Sequence, residues 1–210
     1  MSAHTSSWAR AAAGLAVAAT VAIAAPASAA VIKGTNGADR LTGTTSSDTI
    51  RAYSGHDYVS GRSGHDDISG SWGRDDLNGG AHDDFVRGDG NGDHLDGGSG
   101  NDTVWGGTGH DLVYGGYGDD ELQDQHSGEF GEYHPADTDR LDGGPGDDLL
   151  GAFDGADRIF GGSGADEIRV ERDGSADWID CGTGSDVLKF YGGRDRDDTI
   201  KGCERVVSVW

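Results

Sequence analysis

The sequence predicts an all-β fold, a right-handed parallel β-roll or β-helix solenoid, on three observations. A nine-residue period runs through the chain, with Gly-rich turn positions at its start. Asp recurs at position 6 and a large aliphatic residue at position 8. Residues 97–123 show the pattern at its cleanest: GGSGNDTVW, GGTGHDLVY and GGYGDDELQ succeed one another with nothing between them. A chain that reverses every nine residues needs bends at φ > 0, which Gly adopts without steric cost. Positions 7 to 9 then form a short strand whose side chains alternate faces. With position 8 pointing inward, two stacks of strands enclose a thin aliphatic core. One coil uses two nonapeptides, so residues 18 apart stack on one edge.

Residues 1–29 differ in composition from the rest of the chain. Arg10 precedes the apolar run Ala11 to Ala25, then Pro26 and Ala27-Ser28-Ala29. A basic start, an apolar core and an A-x-A site predict a secretory signal peptide cleaved after Ala29. The run is shorter than the about 20 residues of a membrane span, so no transmembrane segment is expected and the mature chain is expected to be secreted. The formal charge of −22 argues against nucleic acid and anionic membranes as partners, since both select basic patches.

From Gly34, ten nonamers run without a break to residue 123, and every position 6 is Asp and every position 8 aliphatic. Glycine is less strict: GTTSSDTIR at 43 and AYSGHDYVS at 52 predict weak or empty early turns. Asp120 and Asp139 lie 19 residues apart, which predicts an irregular rung at 124–133 with one extra residue. Repeats resume over 134–169 with Asp139, Asp148, Asp157 and Asp166. Over 170–210 the spacing frays, while Ile179, Leu188 and Ile200 keep position 8. The repeats number seventeen and fill residues 30–210 as a single β-roll, with no second globular domain expected.

The two cysteines, Cys181 and Cys203, fall at this frayed end. If residues 190–192 loop out, they sit one coil apart on the same edge, about 4.8 Å in a sheet, a spacing that suits a disulfide. The tail Val206 to Trp210 reads as an apolar cap over the last strand.

The repeats resemble the RTX (repeats-in-toxin) calcium-binding nonapeptide, GGxGxDxUx, an established repeat signature. The resemblance covers about residues 34–202. It implies that several Ca²⁺ ions lie between successive turns along both edges. Calcium takes six to eight hard oxygens at about 2.3–2.6 Å, more than one turn supplies, so two stacked turns must combine an Asp carboxylate each with backbone carbonyls. Carried onto this chain, Asp75, Asp93 and Asp111 belong to one edge, and Asp66, Asp84, Asp102 and Asp120 to the other. The best sites are expected at Gly97, Gly98, Gly100, Asp102, Gly106, Gly107, Gly109, Asp111, Gly115, Gly116, Gly118 and Asp120. A second group comprises Gly143, Gly144, Gly146, Asp148, Asp157, Gly161, Gly162, Gly164 and Asp166. Ten ions is the ceiling. The bland alternative is that periodic Asp serves only turns and solubility, but a column of unneutralised carboxylates would destabilise every coil.

Three function classes remain open. The first is a stand-alone secreted calcium-binding module that folds on meeting calcium; small secreted calcium-binding proteins of actinobacteria are similar in this respect. The second is an enzyme on an acidic polysaccharide, for which only residues 124–138 depart enough from the template; His126, His134, Glu129 and Glu132 lie there. The third is an adhesion or matrix solenoid. Ice binding would need a Thr ladder, and position 3 has none. Trp72, Trp105, Tyr114, Tyr117 and Phe160 form no 18-residue ladder and read as scattered surface aromatics. No catalytic residues are expected.

Overall fold

In the computed structural model, residues 20–22, 28–124 and 137–210 are described. The chain alternates between two parallel sheets, one strand per nonapeptide, and so winds as a β-solenoid. A ten-stranded sheet runs from Thr20–Ala22 and Arg40–Thr42 through Leu112–Tyr117 and Arg140–Pro145 to Thr199–Lys201. An eleven-stranded sheet runs from Val31–Lys33 through Glu121–Gln123 and Leu149–Ala152 to Arg205–Val209.

Register tracks the aliphatic position. Leu77 pairs Leu95 and Leu95 pairs Val113 in the first sheet, while Val86 pairs Val104 and Val104 pairs Leu122 in the second. A one-residue slip would turn each of these outward, so burial pins the pairing. Both position-8 columns face inward and together form the hydrophobic core, with Leu41, Val59, Leu95, Leu141, Ile159 and Ile179 all fully buried. Each such side chain contributes about 1.5–3 kcal/mol on burial.

Three departures from an 18-residue step change the map. Val113 pairs Leu141 and Leu122 pairs Leu150, 28 residues on. Asp139 therefore stacks on Asp111, not on Asp120. The expected rung at 124–133 adds no step to the ladder between the flanking strands, and residues 125–136 lie outside the described residues. Near the C-terminus the step is 20 residues, with Ile159 on Ile179 and Ile168 on Leu188, and then 21, with Ile179 on Ile200.

Cys181 and Cys203 form a disulfide with a Cα–Cα distance of 5.1 Å, one coil apart. Closing a loop of this length contributes about 3 kcal/mol. The tail differs from the expected cap. Arg205–Val209 pairs with Val187–Tyr191 as one more strand, leaving Val206 half exposed and Trp210 exposed. At the other end, the short strand Thr20–Ala22 pairs with Arg40–Thr42, inside the stretch expected to be a signal peptide. Among the described residues, no helix is long and apolar enough to cross a membrane.

Candidate metal sites in the turns

Every turn delivers its position-6 Asp into the wall of the solenoid in the same way. The aliphatic residue at position 8 is locked inward, which fixes the strand, and the residue two places earlier is carried into the turn facing inward as well. On one edge the backbone N–H of Asp57 donates to Oδ1 of Asp75 (2.8 Å), Asp75 to Asp93 (2.8 Å) and Asp93 to Asp111 (2.7 Å). On the other, Asp66 donates to Asp84 (2.8 Å), Asp84 to Asp102 (2.7 Å) and Asp102 to Asp120 (2.8 Å). Both ladders continue across the 28-residue step, Asp111 to Asp139 and Asp120 to Asp148, and onward through Asp157, Asp166, Asp177 and Asp186. Oδ1 is thus a structural acceptor that ties each coil to the next.

Oδ2 has no such role. It is buried and without a hydrogen-bond partner at Asp57, Asp66, Asp75, Asp84, Asp93, Asp102, Asp111, Asp120, Asp148, Asp166 and Asp186. A buried carboxylate oxygen left unpaired costs well over the 1–3 kcal/mol of a neutral group. It points at the position-1 glycine of its own turn. A Cβ on Gly97 would meet Asp102 Oδ2 at 2.6 Å and the carbonyl oxygen of Gly115, one coil on, at 2.6 Å. Gly106, Gly143 and Gly161 sit in the same converging pair of oxygens. These turns are therefore small niches lined by hard oxygen, closed to any side chain.

The remaining glycines build the bend. At position 2, Gly98, Gly107, Gly116, Gly144 and Gly162 have φ from 104° to 115°. At position 4, Gly100, Gly109, Gly118, Gly146 and Gly164 have φ from 130° to 154°. Some repeats that lack glycine at position 2 bend the same way, with Arg62 at φ 84° and Asp89 at φ 75°, whereas Thr35 and Thr44 take no positive φ.

Electrostatics of the columns are severe. Burial pushes Asp93 up to about 8; one backbone N–H pulls back, and Asp111 and Asp75 push further. Asp102 and Asp84 rise to about 7 by burial, with like charges along their edge adding to it. Asp157 reaches about 8 and Asp139 about 9. A cation between coils removes both the desolvation and the repulsion.

The first two turns behave differently, and the reason is local. Asp39 Oδ2 accepts from the backbone N–H and hydroxyl of Thr35, and the carboxylate of Asp48 from those of Thr44. A threonine at position 2 satisfies internally the oxygen that a Gly-Gly turn leaves open. Weak turns are expected at 43 and 52, and this mechanism applies at 43 alone, where both oxygens of Asp48 are satisfied; Asp57 Oδ2 at 52 and Asp39 Oδ1 at 34 stay buried and unpaired.

Two features were hidden in the linear sequence. Asp139, Asp177 and Asp186 join the ladders although their spacings of 28 and 20 residues mask the stacking. The same offsets gather aromatics that read as scattered. The Arg140 guanidinium lies 3.9 Å over the Phe160 ring and 5.9 Å from that of Tyr114, and Phe160 packs on Trp178 at 4.9 Å. Arg158 joins Phe160 and Trp178 around a shallow hollow of about 330 Å³ on the outer face. Trp72 and Tyr117 are exposed individually. His126, His134, Glu129 and Glu132 fall outside the described residues.

Among the described residues no group of three His, Cys, Asp or Glu side chains gathers as a metal site. A cation in these turns must then draw on backbone carbonyls as well as carboxylates, and hard oxygen of both kinds is what the turns present. That donor set suits calcium, which accepts carboxylate and carbonyl oxygen in flexible geometry, and not the softer metals that select thiolate or imidazole. A model of the RTX calcium-binding nonapeptide repeat matches the chain in four copies, at residues 33–68, 69–104, 96–123 and 136–168. A search of curated proteins returned no match. The matched residues amount to more than half of the chain, and their turns have the oxygen lining that calcium requires: this protein belongs to the RTX calcium-binding nonapeptide repeat family, whose turns bind Ca²⁺.

Proposed function

We propose that the chain is a secreted calcium-binding module whose folding is coupled to extracellular calcium. The observation that carries the proposal is the row of buried Oδ2 atoms without partners, repeated on both edges. Each needs a positive charge, and the sequence offers too few cations to supply it, with Lys and Arg at 16 against 38 Asp and Glu.

The proposed ligands are the Asp carboxylates of stacked turns with the carbonyls of the Gly-rich segments between them. One edge uses Asp75, Asp93, Asp111 and Asp157, and the other Asp66, Asp84, Asp102, Asp120, Asp148 and Asp166. The glycines at 97–118 and 143–164 supply the carbonyls and the clearance. Up to ten ions would bind. Sites of extracellular modules are weak, about 10⁻⁴–10⁻³ M, so the chain would remain expanded at cytosolic calcium, cross the membrane behind residues 1–29 as a leader, and fold outside. Residues 30–210 would then act as one unit. The role is one of binding and not of catalysis.

A second reading, a calcium-stabilised adhesin or matrix module, is favoured by one observation. The Arg140, Phe160 and Trp178 cluster lies on an outer sheet face, where it serves no core.

Substitution tests the first reading. Asp102→Ala and Asp111→Ala each remove an Oδ2 and a rung of the ladder, and each is expected to raise the calcium midpoint of folding several-fold in isothermal calorimetry and circular dichroism. Unchanged midpoints in both would remove these turns from calcium binding. Export tests the second element: deletion of residues 1–29 should leave the protein inside the cell, and secretion without them would refute a leader.

A further inference from the structure

One buried carboxylate does not belong to the template. Asp124 is fully buried, and it occupies position 1, where Gly106 stands one coil below. Its neighbours in that column further on are Ala152, Val170 and Phe190, all buried and apolar. A carboxylate in such a column is an anomaly that packing does not explain.

Its surroundings explain it. At ordinary turns a Cβ at position 1 points between its own position-6 carboxylate and the backbone one coil on; for Gly88 these are Asp93 Oδ2 and the carbonyl of Gly106, both at 2.5 Å. Asp124 carries a side chain in that direction. Its Oδ2 accepts the backbone N–H of Phe153 at 2.6 Å, in the next coil. Its Oδ1 is buried without a partner. The charges that bear on it most are Asp157, then Asp139 and Asp154, each of them buried. Asp157 closes the same turn that Phe153 opens, so the bond from Phe153 sets the Asp124 carboxylate against a turn that carries a buried carboxylate of its own. A fully buried anionic group with an unused oxygen has the character of a cation ligand.

We propose that Asp124 holds a divalent cation, calcium in this protein, between its own coil and the turn of residues 152–157, at a site off the nonapeptide template. Backbone carbonyls of the two coils complete the oxygen shell. The site staples the coil of 106–124 to that of 152–157, beside the point where ten additional residues enter the chain. A side-chain ligand in place of glycine gives this junction one more anionic donor than a template turn has. The proposal rests on the calcium reading above.

Anomalous diffraction from calcium-loaded crystals of the full chain tests it directly. The expected result is a calcium peak within about 2.3–2.6 Å of Asp124 Oδ1. A structure with calcium in the repeat turns and no peak at Asp124 overturns this inference alone. A structure without calcium anywhere overturns the wider reading with it. In solution, Asp124→Asn keeps an acceptor for the Phe153 N–H and removes the charge. Equilibrium dialysis with calcium should count one ion fewer per chain than in the parent protein. An unchanged count would show that Asp124 is a neutral, protonated core acid and would end the proposal. Diffraction from the parent protein decides the matter should that variant fail to fold.

Discussion

Gly98 and Arg62 make opposite predictions for the same backbone position. Gly98 has φ of 110° and a Cβ there would lie 2.2 Å from the Gly80 carbonyl oxygen. Gly98→Ala is expected to cost about 1–3 kcal/mol in calcium-saturated denaturation. Arg62, exposed and at φ 84°, bends the same turn against its conformational preference, so Arg62→Gly should stabilise by about 1 kcal/mol. The aspartates set the pH dependence. Burial, with neighbouring carboxylates adding to it, raises Asp93, Asp139 and Asp157 to between about 8 and about 9 in the folded state, against about 3.9 when unfolded. A group raised in this way stabilises the fold below its unfolded value and ceases to do so as pH rises through its folded value. The calcium-free chain should therefore gain β-structure by circular dichroism in chelator as pH falls from 9 towards 4. Calcium, which takes the place of those protons, should flatten that dependence and bind more weakly in acid. A calcium-free chain equally folded at pH 5 and pH 9 would contradict the column of strained carboxylates.

Each strand is held chiefly by one inward aliphatic residue, so its removal is felt at full cost. Leu95 is fully buried between Leu77 and Val113, and Leu95→Ala should destabilise by about 2–5 kcal/mol. The Cys181–Cys203 bond ties the last strand of the first sheet to the coil below; reduction, or Cys203→Ser, should lower stability by about 3 kcal/mol. Strand identity and facing were legible in the sequence because position 8 never loses its aliphatic residue between Leu41 and Leu122. Stacking partners were legible only while the step stayed constant. The 19 residues from Asp120 to Asp139 equal two repeats and one residue, or one repeat and ten residues, and periodicity alone does not separate these. Pairing does: Val113 stands directly against Leu141, so the ten residues add no rung between these strands. The tail was read from apolarity as a cover for an open edge. Backbone pairing made Arg205–Val209 a strand instead, since an edge strand offers a row of free N–H and C=O groups.

At the scale of the molecule, the solenoid is a thin aliphatic core between two acidic edges. Stability in such a fold is a sum of coil and interface contributions, and here each interface brings carboxylates together. The template aspartates and glycines were readable as ligands because one residue type repeats at one position. Asp124 was not, since a single Asp at a glycine position resembles a lapse of the repeat until its buried, unpaired Oδ1 is seen. Nor was the distinction between early and late turns fully visible, for it depends on Thr35 and Thr44 turning their hydroxyls onto the carboxylates. Calcium is the counter-charge we propose for the stacking of these coils. A calcium titration of the full chain at neutral pH, followed by far-ultraviolet circular dichroism with bound ions counted by calorimetry, tests this most directly. The predicted result is a coil-like spectrum in chelator that becomes β-rich near millimolar calcium, with several ions bound per chain. A spectrum already β-rich in chelator, and unmoved by calcium, would contradict it.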